Sequence, residues 1–438
     1  MKTVPTKSQH KLGPLRLTPG TTRRHLLVYY LASLMAVLLF TFAPQAQPFV
    51  LTELLGIAES EQGVLSGNVG LFAEIVILSS IGVWGVVSDR LGRRIVFGAG
   101  FLLMGLGLYL TATVDSVLTL YLYRGVFALG SSAVTTMLAT VIADYVIDED
   151  RGKGSGFSGV GSGIGALITV FVLLQLPDIF ESGGADAVEA ARRTYVIAAA
   201  AGLVTAFVLW LGLRGRTELQ RDQKKPWQLR VREGLAAAGD PGVALAYAAA
   251  FVSRGDFAVV GTFFTLWVTT YGTTEAGLST AEALAAGGIV IGVSQGVVLL
   301  TAPFFGYIAD RLDRVTNVLA ALAISAVGYG STILVDNPLG GMIYVSATLI
   351  GLGEISGLIA SGVLIAQQAP RDIRGSVIGV FSFFGAVGVM TATGIGGQLF
   401  DHWRPQGPFV LFSVFAFLVF LWGLTVRHKV VPLDEASE

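Results

Sequence analysis

The sequence predicts an all-α integral membrane fold, with about 12 transmembrane helices in two pseudo-symmetric six-helix bundles. Three observations carry this. Of 438 residues, 53% are hydrophobic and 13% charged, too few charges to cover a soluble protein of that length. The apolar residues gather in runs of roughly 20, enough for a helix to cross about 30 Å of hydrocarbon. Lipid offers an unpaired backbone amide no partner, so such runs must be helical. The two halves of the chain also repeat: Gly85, Asp89, Arg90, Leu91 and Arg93 return at the same spacing as Gly306, Asp310, Arg311, Leu312 and Arg314. The same offset sets Glu74 against Gln295 and Gly130 against Gly351.

The predicted spans are 25–50, 66–87, 95–114, 118–146, 153–176, 193–213, 241–271, 282–308, 315–335, 338–368, 373–398 and 406–426. With the amino terminus in the cytoplasm, every lysine and arginine falls on that side except Arg192, Arg193 and Arg404 outside and Arg124 and Arg254 within spans. The positive-inside rule is then met with both termini cytoplasmic, and the inner (plasma) membrane of the cell is the expected location. The domain organisation is a tail (1–24), a first bundle (25–213), a polar cytoplasmic linker (214–240), a second bundle (241–426) and a tail (427–438). Six spans per half is an even number, so the halves enter the membrane in parallel. Residues 1–24 hold no apolar signal-peptide core, so the first span should direct insertion; a transit peptide is the competing reading of this basic, acid-free tail.

Composition excludes several classes. The chain has no cysteine, which removes disulfides, thiolate metal sites and cysteine nucleophiles. His10, His25, His402 and His428 lie at or beyond span ends, so no intramembrane transition-metal site is expected, nor any other cofactor. There is no Gly-x-x-x-x-Gly-Lys-Ser/Thr loop for an ATP-driven pump; Arg151-Gly-Lys-Gly-Ser-Gly is a superficial likeness. No acid–base–nucleophile set converges at one depth, so the chain is not expected to be an enzyme. Nothing points to a nucleic acid.

The repeated loop is the most specific motif. Gly85-Val-Val-Ser-Asp89-Arg90-Leu-Gly92-Arg93-Arg94 follows the second span and resembles, at every fixed position, the signature loop of the major facilitator superfamily. The resemblance covers nearly the whole chain. Arg124 in the fourth span, with Gly130 after it, and Arg151-Gly152 and Arg374-Gly375 at the entries to the fifth and eleventh are similar to the same family. Two departures stand out. Asp313 and Val315 replace the glycine and the second basic residue in the later copy, which weakens that gate. The fifth span has Gly159, Gly161, Gly163 and Gly165 but no proline after a glycine, so the signature of the family's drug/proton antiporters is absent. The resemblance implies a monomer and a cytoplasmic gate built from Asp89, Arg90, Arg93, Arg94, Asp310, Arg311 and Arg314. Asp144, near the cytoplasmic end of the fourth span, is the expected partner of Arg93. The alternative is that these arginines only enforce topology.

Five charges lie inside spans, away from their ends: Glu74, Arg124, Arg254, Asp256 and Glu354. A charge at mid-bilayer costs at least about 2.5 kcal/mol, so each is a functional candidate. The resemblance implies that the first, fourth, seventh and tenth helices line a central cavity, which would hold four of the five; Glu74 and its counterpart Gln295 complete the substrate and coupling set. Arg254 and Asp256 are two residues apart, about 200° around a helix, so they cannot both face one cavity. A buried carboxyl without a partner takes up a proton, which would let Glu354 or Asp256 couple transport to a proton gradient. The same spare negative charge would equally attract a cationic solute. Glycine runs in the fifth and eleventh spans suit either close static packing or bending.

The expected function is secondary active transport of a small organic solute by alternating access, coupled to protons. Phe40, Phe42 and Phe49 near the first span would suit a lipophilic substrate, so drug efflux is an alternative. A non-transporting sensor on a transporter fold is the alternative from another class.

Overall fold

The structure is a computed structural model and describes residues 11–215, 227–370 and 372–430, the side chains of Asp148, Trp227, Arg230 and Asp310 excepted. Within it, 12 helices are long and apolar enough to cross a membrane. They are α1 Arg23–Gln45, α2 Glu59–Leu91, α3 Arg93–Thr111, α4 Val117–Tyr145, α5 Arg151–Ser182 and α6 Ala187–Gly212. The second half supplies α7 Pro241–Thr274, α8 Thr280–Arg311, α9 Arg314–Gly330, α10 Met342–Gln368, α11 Arg374–His402 and α12 Gly407–Val426.

Each predicted span has its helix, and the differences lie at the ends. The first span is broken: Pro44 ends α1 within its last turn, and residues to 54 continue as Gln47–Phe49 and a wide π-turn, Val50–Leu54. Proline cannot donate to the helical ladder, so a break beside it is expected. The second helix begins at Glu59 rather than 66. Glu59 and Glu61 sit in its first turn, where acids favour the helix dipole but where apolar patterning gives no signal. Other starts are set by local chemistry. Ser116 with Thr119, and Ser279 with Glu282, form reciprocal capping boxes for α4 and α8. The Asp240 carboxylate accepts from the N–H groups of Gly242 and Val243 ahead of α7. Inside α7, Val260–Phe264 forms a second π-turn.

The chain divides into two compact units, Met1–Ala43 with Ile75–Gln220, and Pro44–Glu74 with Arg221–Glu438. The boundary falls inside α2. In the first unit α3 packs on both α4 and α6. An ideal Cβ on Gly130 of α4 would lie 2.5 Å from the Gly100 carbonyl oxygen and 2.7 Å from the Met104 nitrogen of α3. No side chain fits there, and the two backbones touch. In the second unit α7 packs on α10 and α11, and α9 on α10 and α12. Its core holds Val243, Leu245 and Tyr247 of α7, with Leu322 of α9 and Leu364 of α10. Part of the linker joins this unit as a short helix, Trp227–Ala236, fixed where the Tyr247 hydroxyl donates to the Gly234 carbonyl at 2.8 Å. Leu118, Leu300 and Leu334 are among many large apolar side chains left exposed, as lipid-facing positions should be.

Replacing Gly130 by valine should destabilise the first unit by about 1–3 kcal/mol, because the clash is with backbone and cannot be relieved by a rotamer. Gly159→Val, where nothing lies within 4 Å, should be close to neutral. Thermal unfolding of the two variants in detergent checks the contrast.

Candidate functional site

The loop Gly85–Arg94 folds as the last turns of α2 and the first of α3, joined at Gly92. That residue takes φ 96°, a left-handed turn that favours glycine. The turn brings Arg93 back over the end of α2. Its Nη1 donates to Ser88 Oγ and to Asp89 Oδ1, both at 2.6 Å, and its Nε donates to Asp144 Oδ2 of α4 at 3.2 Å. One guanidinium thus ties the ends of α2 and α4 through the fork geometry that only arginine offers. Asp89 is nearly half exposed, so each pair contributes about 0.2–1 kcal/mol; the cluster fixes position more than it adds stability. Arg90 and Arg94 make no ion pair among the described residues.

The second copy is built differently. Asp313 stands where the first copy has Gly92, at φ −53°, and accepts from the Thr316 N–H at 2.9 Å as the N-cap of α9. Arg314 donates to the Ala309 carbonyl at the end of α8, and the Arg311 guanidinium lies 4.1 Å over the Tyr307 ring. No carboxylate bridge forms at Arg311 or Arg314 among the described residues, and the Asp310 side chain lies outside them. The substitution of glycine by a capping aspartate exchanges the folded-back arginine for a straightforward helix start.

The intramembrane charges fall into distinct settings. In the first unit, Arg124 lies 5.4 Å from the Phe127 ring centroid, and its Nε has no hydrogen-bond partner among the described residues. In the second unit, Arg254 and Asp256 point to different sides of α7. Arg254 is exposed and lies along Gly385 of α11, while Asp256 is 1% exposed and faces α9. Ser325 of α9 donates to Asp256 Oδ2; among the described residues Oδ1 has no hydrogen-bond partner, nor has the buried Tyr329 hydroxyl one turn further along α9. Glu354 of α10 is 5% exposed and, among the described residues, accepts one long contact, from Gln295 Nε2 at 3.4 Å. Glu74 is half-buried and interacts electrostatically with Arg254, beyond ion-pair distance. Phe42 and Phe49 are buried, Phe42 with its ring centroid 5.0 Å from that of Tyr195, so their area is spent on packing within the protein.

Charges on membrane-spanning helices and a folded-back arginine loop, in a twofold-repeated chain of twelve apolar helices, define a polytopic transporter class. The Major Facilitator Superfamily profile matches residues 28–335 and 288–438, and the chain belongs to that family. It is 28% identical over 415 residues to the magnetosome protein MamH of Paramagnetospirillum magneticum, covering 93% of each chain. It is 25% identical over 415 residues to the magnetosome protein MamZ of Magnetospirillum gryphiswaldense, covering 90% of this chain but 61% of that protein. Among solved structures, the nucleoside transporter NupG superposes with a TM-score of 0.71 over 92% of this chain and 98% of its own, at 13% identity. That likeness is one of fold.

A strap beside the loop had no signal in the sequence. Strands β1 (Lys11–Leu12) and β2 (Leu15–Arg16) form a hairpin, and the chain then pairs with the α4–α5 connection. The Thr18 N–H donates to Tyr145 O at 3.0 Å and the Ile147 N–H to Arg16 O at 3.2 Å. The Thr18 hydroxyl also donates to the carbonyl of Asp144, the partner of Arg93. Arg16 Nε and Lys153 Nζ converge on the Asp150 carboxylate at 2.8 and 3.0 Å. These bonds, that from Arg16 foremost, hold the Asp150 carboxyl well below the usual carboxylate range. Because its folded value is depressed, its contribution is complete above the ordinary carboxyl value of about 4 and is lost as pH falls through the folded one. Neutral pH is inside the window of full effect. Asp150→Asn at pH 7 should therefore lower hydrogen-exchange protection of the Thr18 and Ile147 amides while leaving α6 unchanged.

Proposed function

We propose that this chain is a secondary transporter that carries a small polar organic solute across the membrane by alternating access, coupled to protons. The observation that carries the reading is the pair of buried carboxyls, Asp256 on α7 and Glu354 on α10, each hydrogen-bonded, among the described residues, to one neutral polar group. Burying a bare charge is costly, and a proton removes the charge, so each can load and release a proton as its surroundings change. Arg124, Arg254 and Glu74, with Gln295, supply both signs of charge for a polar, zwitterionic or charged solute. The burial of Phe42 and Phe49 inside the packing counts against a lipophilic one.

The Asp89–Arg93–Asp144 cluster, with Arg90 and Arg94, serves as the cytoplasmic gate, and Asp310, Arg311 and Arg314 form a weaker counterpart. The distribution of basic residues supports cytoplasmic termini in the inner membrane, and family membership favours a monomer that uses no cofactor. MamH and MamZ carry magnetosome in their names, which name no solute.

Thermal stability in detergent against a panel of metabolites, drugs and ions, at two pH values, tests the reading. A ligand of the folded state present at about 100 times its dissociation constant should add roughly 2.7 kcal/mol. One chemical class should stabilise the wild type, and Glu354→Gln should lose that response. A panel in which nothing shifts at either pH would sink the proton-coupled transport reading.

A further inference from the structure

On the side of α7 turned from Arg254, the interior of the second unit is not fully packed. A small cavity lies between α7, α9 and α10, with room for a single water-sized occupant. Its wall is apolar or glycine except at Ser253 and Asp256 of α7 and Ser325 of α9. These three are 4%, 1% and 2% exposed. Ser253 and Asp256 are three residues apart and so share a face of the helix. Two glycines of α10 draw the helices together around them. An ideal Cβ on Gly357 would stand 3.3 Å from Ser253 Cβ, and one on Gly353 would stand 2.8 Å from Ser325 Cα.

The carboxylate brings a charge to this place without a balancing one. Its Oδ2 accepts from Ser325, and its Oδ1 has no hydrogen-bond partner among the described residues. The charge acting on it from α10 is that of Glu354, of the same sign. The Tyr329 hydroxyl, fully buried and likewise without a partner among the described residues, lies within electrostatic reach of both carboxyls. A bare charge in such surroundings is costly.

Three occupants could relieve that cost, and they differ in what they need. A proton removes the charge but has no use for a cavity or for extra oxygens. A water fills the space and leaves the charge where it is. A small monovalent cation does both. The donors suit it: a carboxylate and two hydroxyls are hard oxygen ligands. Each serine keeps lone pairs to offer, because Ser325 gives its proton to Asp256 and Ser253 gives its own to the Ala250 carbonyl, at 3.4 Å. A magnesium ion would keep several waters, and a cavity of this size has no place for them.

We propose that this cavity binds a sodium ion, held by the Asp256 carboxylate and the hydroxyls of Ser253 and Ser325. The inference rests on the coupling role given to Asp256 above and sets an ion in competition with the proton there.

Thermal unfolding of the whole chain in detergent tests it, in sodium, potassium or choline chloride at equal ionic strength and without organic solute. Sodium should raise the melting temperature along a saturating curve, and choline should not. Less sodium should be needed as pH rises, because ion and proton compete for one carboxylate. The titratable groups facing Asp256 are Glu354 of α10 and Tyr329 of α9; α11 meets this turn of α7 at Gly388 and α12 at Phe412. Asp256→Asn should abolish the response, Ser253→Ala should weaken sodium binding about tenfold, and Glu354→Gln should keep the response.

No difference between sodium and choline in the wild type overturns the site. An equal rise in all three salts also overturns it, because that is ionic strength. So does a sodium response that survives Asp256→Asn. If Asp256→Asn does not fold, Ser253→Ala decides, and an unchanged sodium affinity overturns the proposal. Organic solutes that stabilise the protein while sodium does not would leave the transport reading and remove the site. Sodium acting where every organic solute is silent would sink the transport reading and leave the site standing.

Discussion

A peptide group in hydrocarbon has no water to bond, and that single constraint shapes most of this molecule. It forces every crossing segment into a helix, and it removes the hydrophobic effect as a reason for helices to associate. What remains is backbone contact, and the close meeting of Gly130 with Gly100 and Met104 is its local expression. The same constraint makes irregular backbone conspicuous. The two π-turns, Val50–Leu54 and Val260–Phe264, lie in or next to helices that cross the membrane, where each disturbed carbonyl must find a partner inside the protein.

Polar side chains obey the same rule in reverse. On α7, Gly255 separates an arginine that stays accessible from an aspartate sealed against α9, and an ideal Cβ on that glycine would fall 1.9 Å from the Phe412 ring. Asp256 beside it has, among the described residues, one hydrogen-bond partner, the Ser325 hydroxyl. At the loop after α2, by contrast, Arg93 meets two carboxylates and a hydroxyl in a partly wet setting. One arrangement rests a buried carboxyl on a single hydroxyl; the other keeps two helix ends in register.

Much of this was legible in the residues. Twelve spans followed from apolar run length, and the Arg93–Asp144 contact followed from a motif of fixed spacing and a carboxylate at a helix end. The opposed directions of Arg254 and Asp256 followed from helical geometry alone. Other features gave no local signal. Ser325 and Tyr329 are ordinary small and aromatic residues of an apolar helix, and only the folded pairing of α7 with α9 sets them beside a carboxyl. The compact unit that includes Pro44–Glu74 crosses the repeat boundary, and a repeat in sequence records ancestry of the halves rather than which helix ends touch.

The strap has a consequence for how the molecule is made. Arg16 leaves the ribosome 134 residues before Asp150, its partner. Through that interval the amino-terminal segment has nothing to pair with, and α1 to α4 are threaded into the bilayer while it waits. Closing so long a loop has an entropic cost that only the finished α4–α5 connection can offset. A segment synthesised early is therefore among the later ones to reach its place.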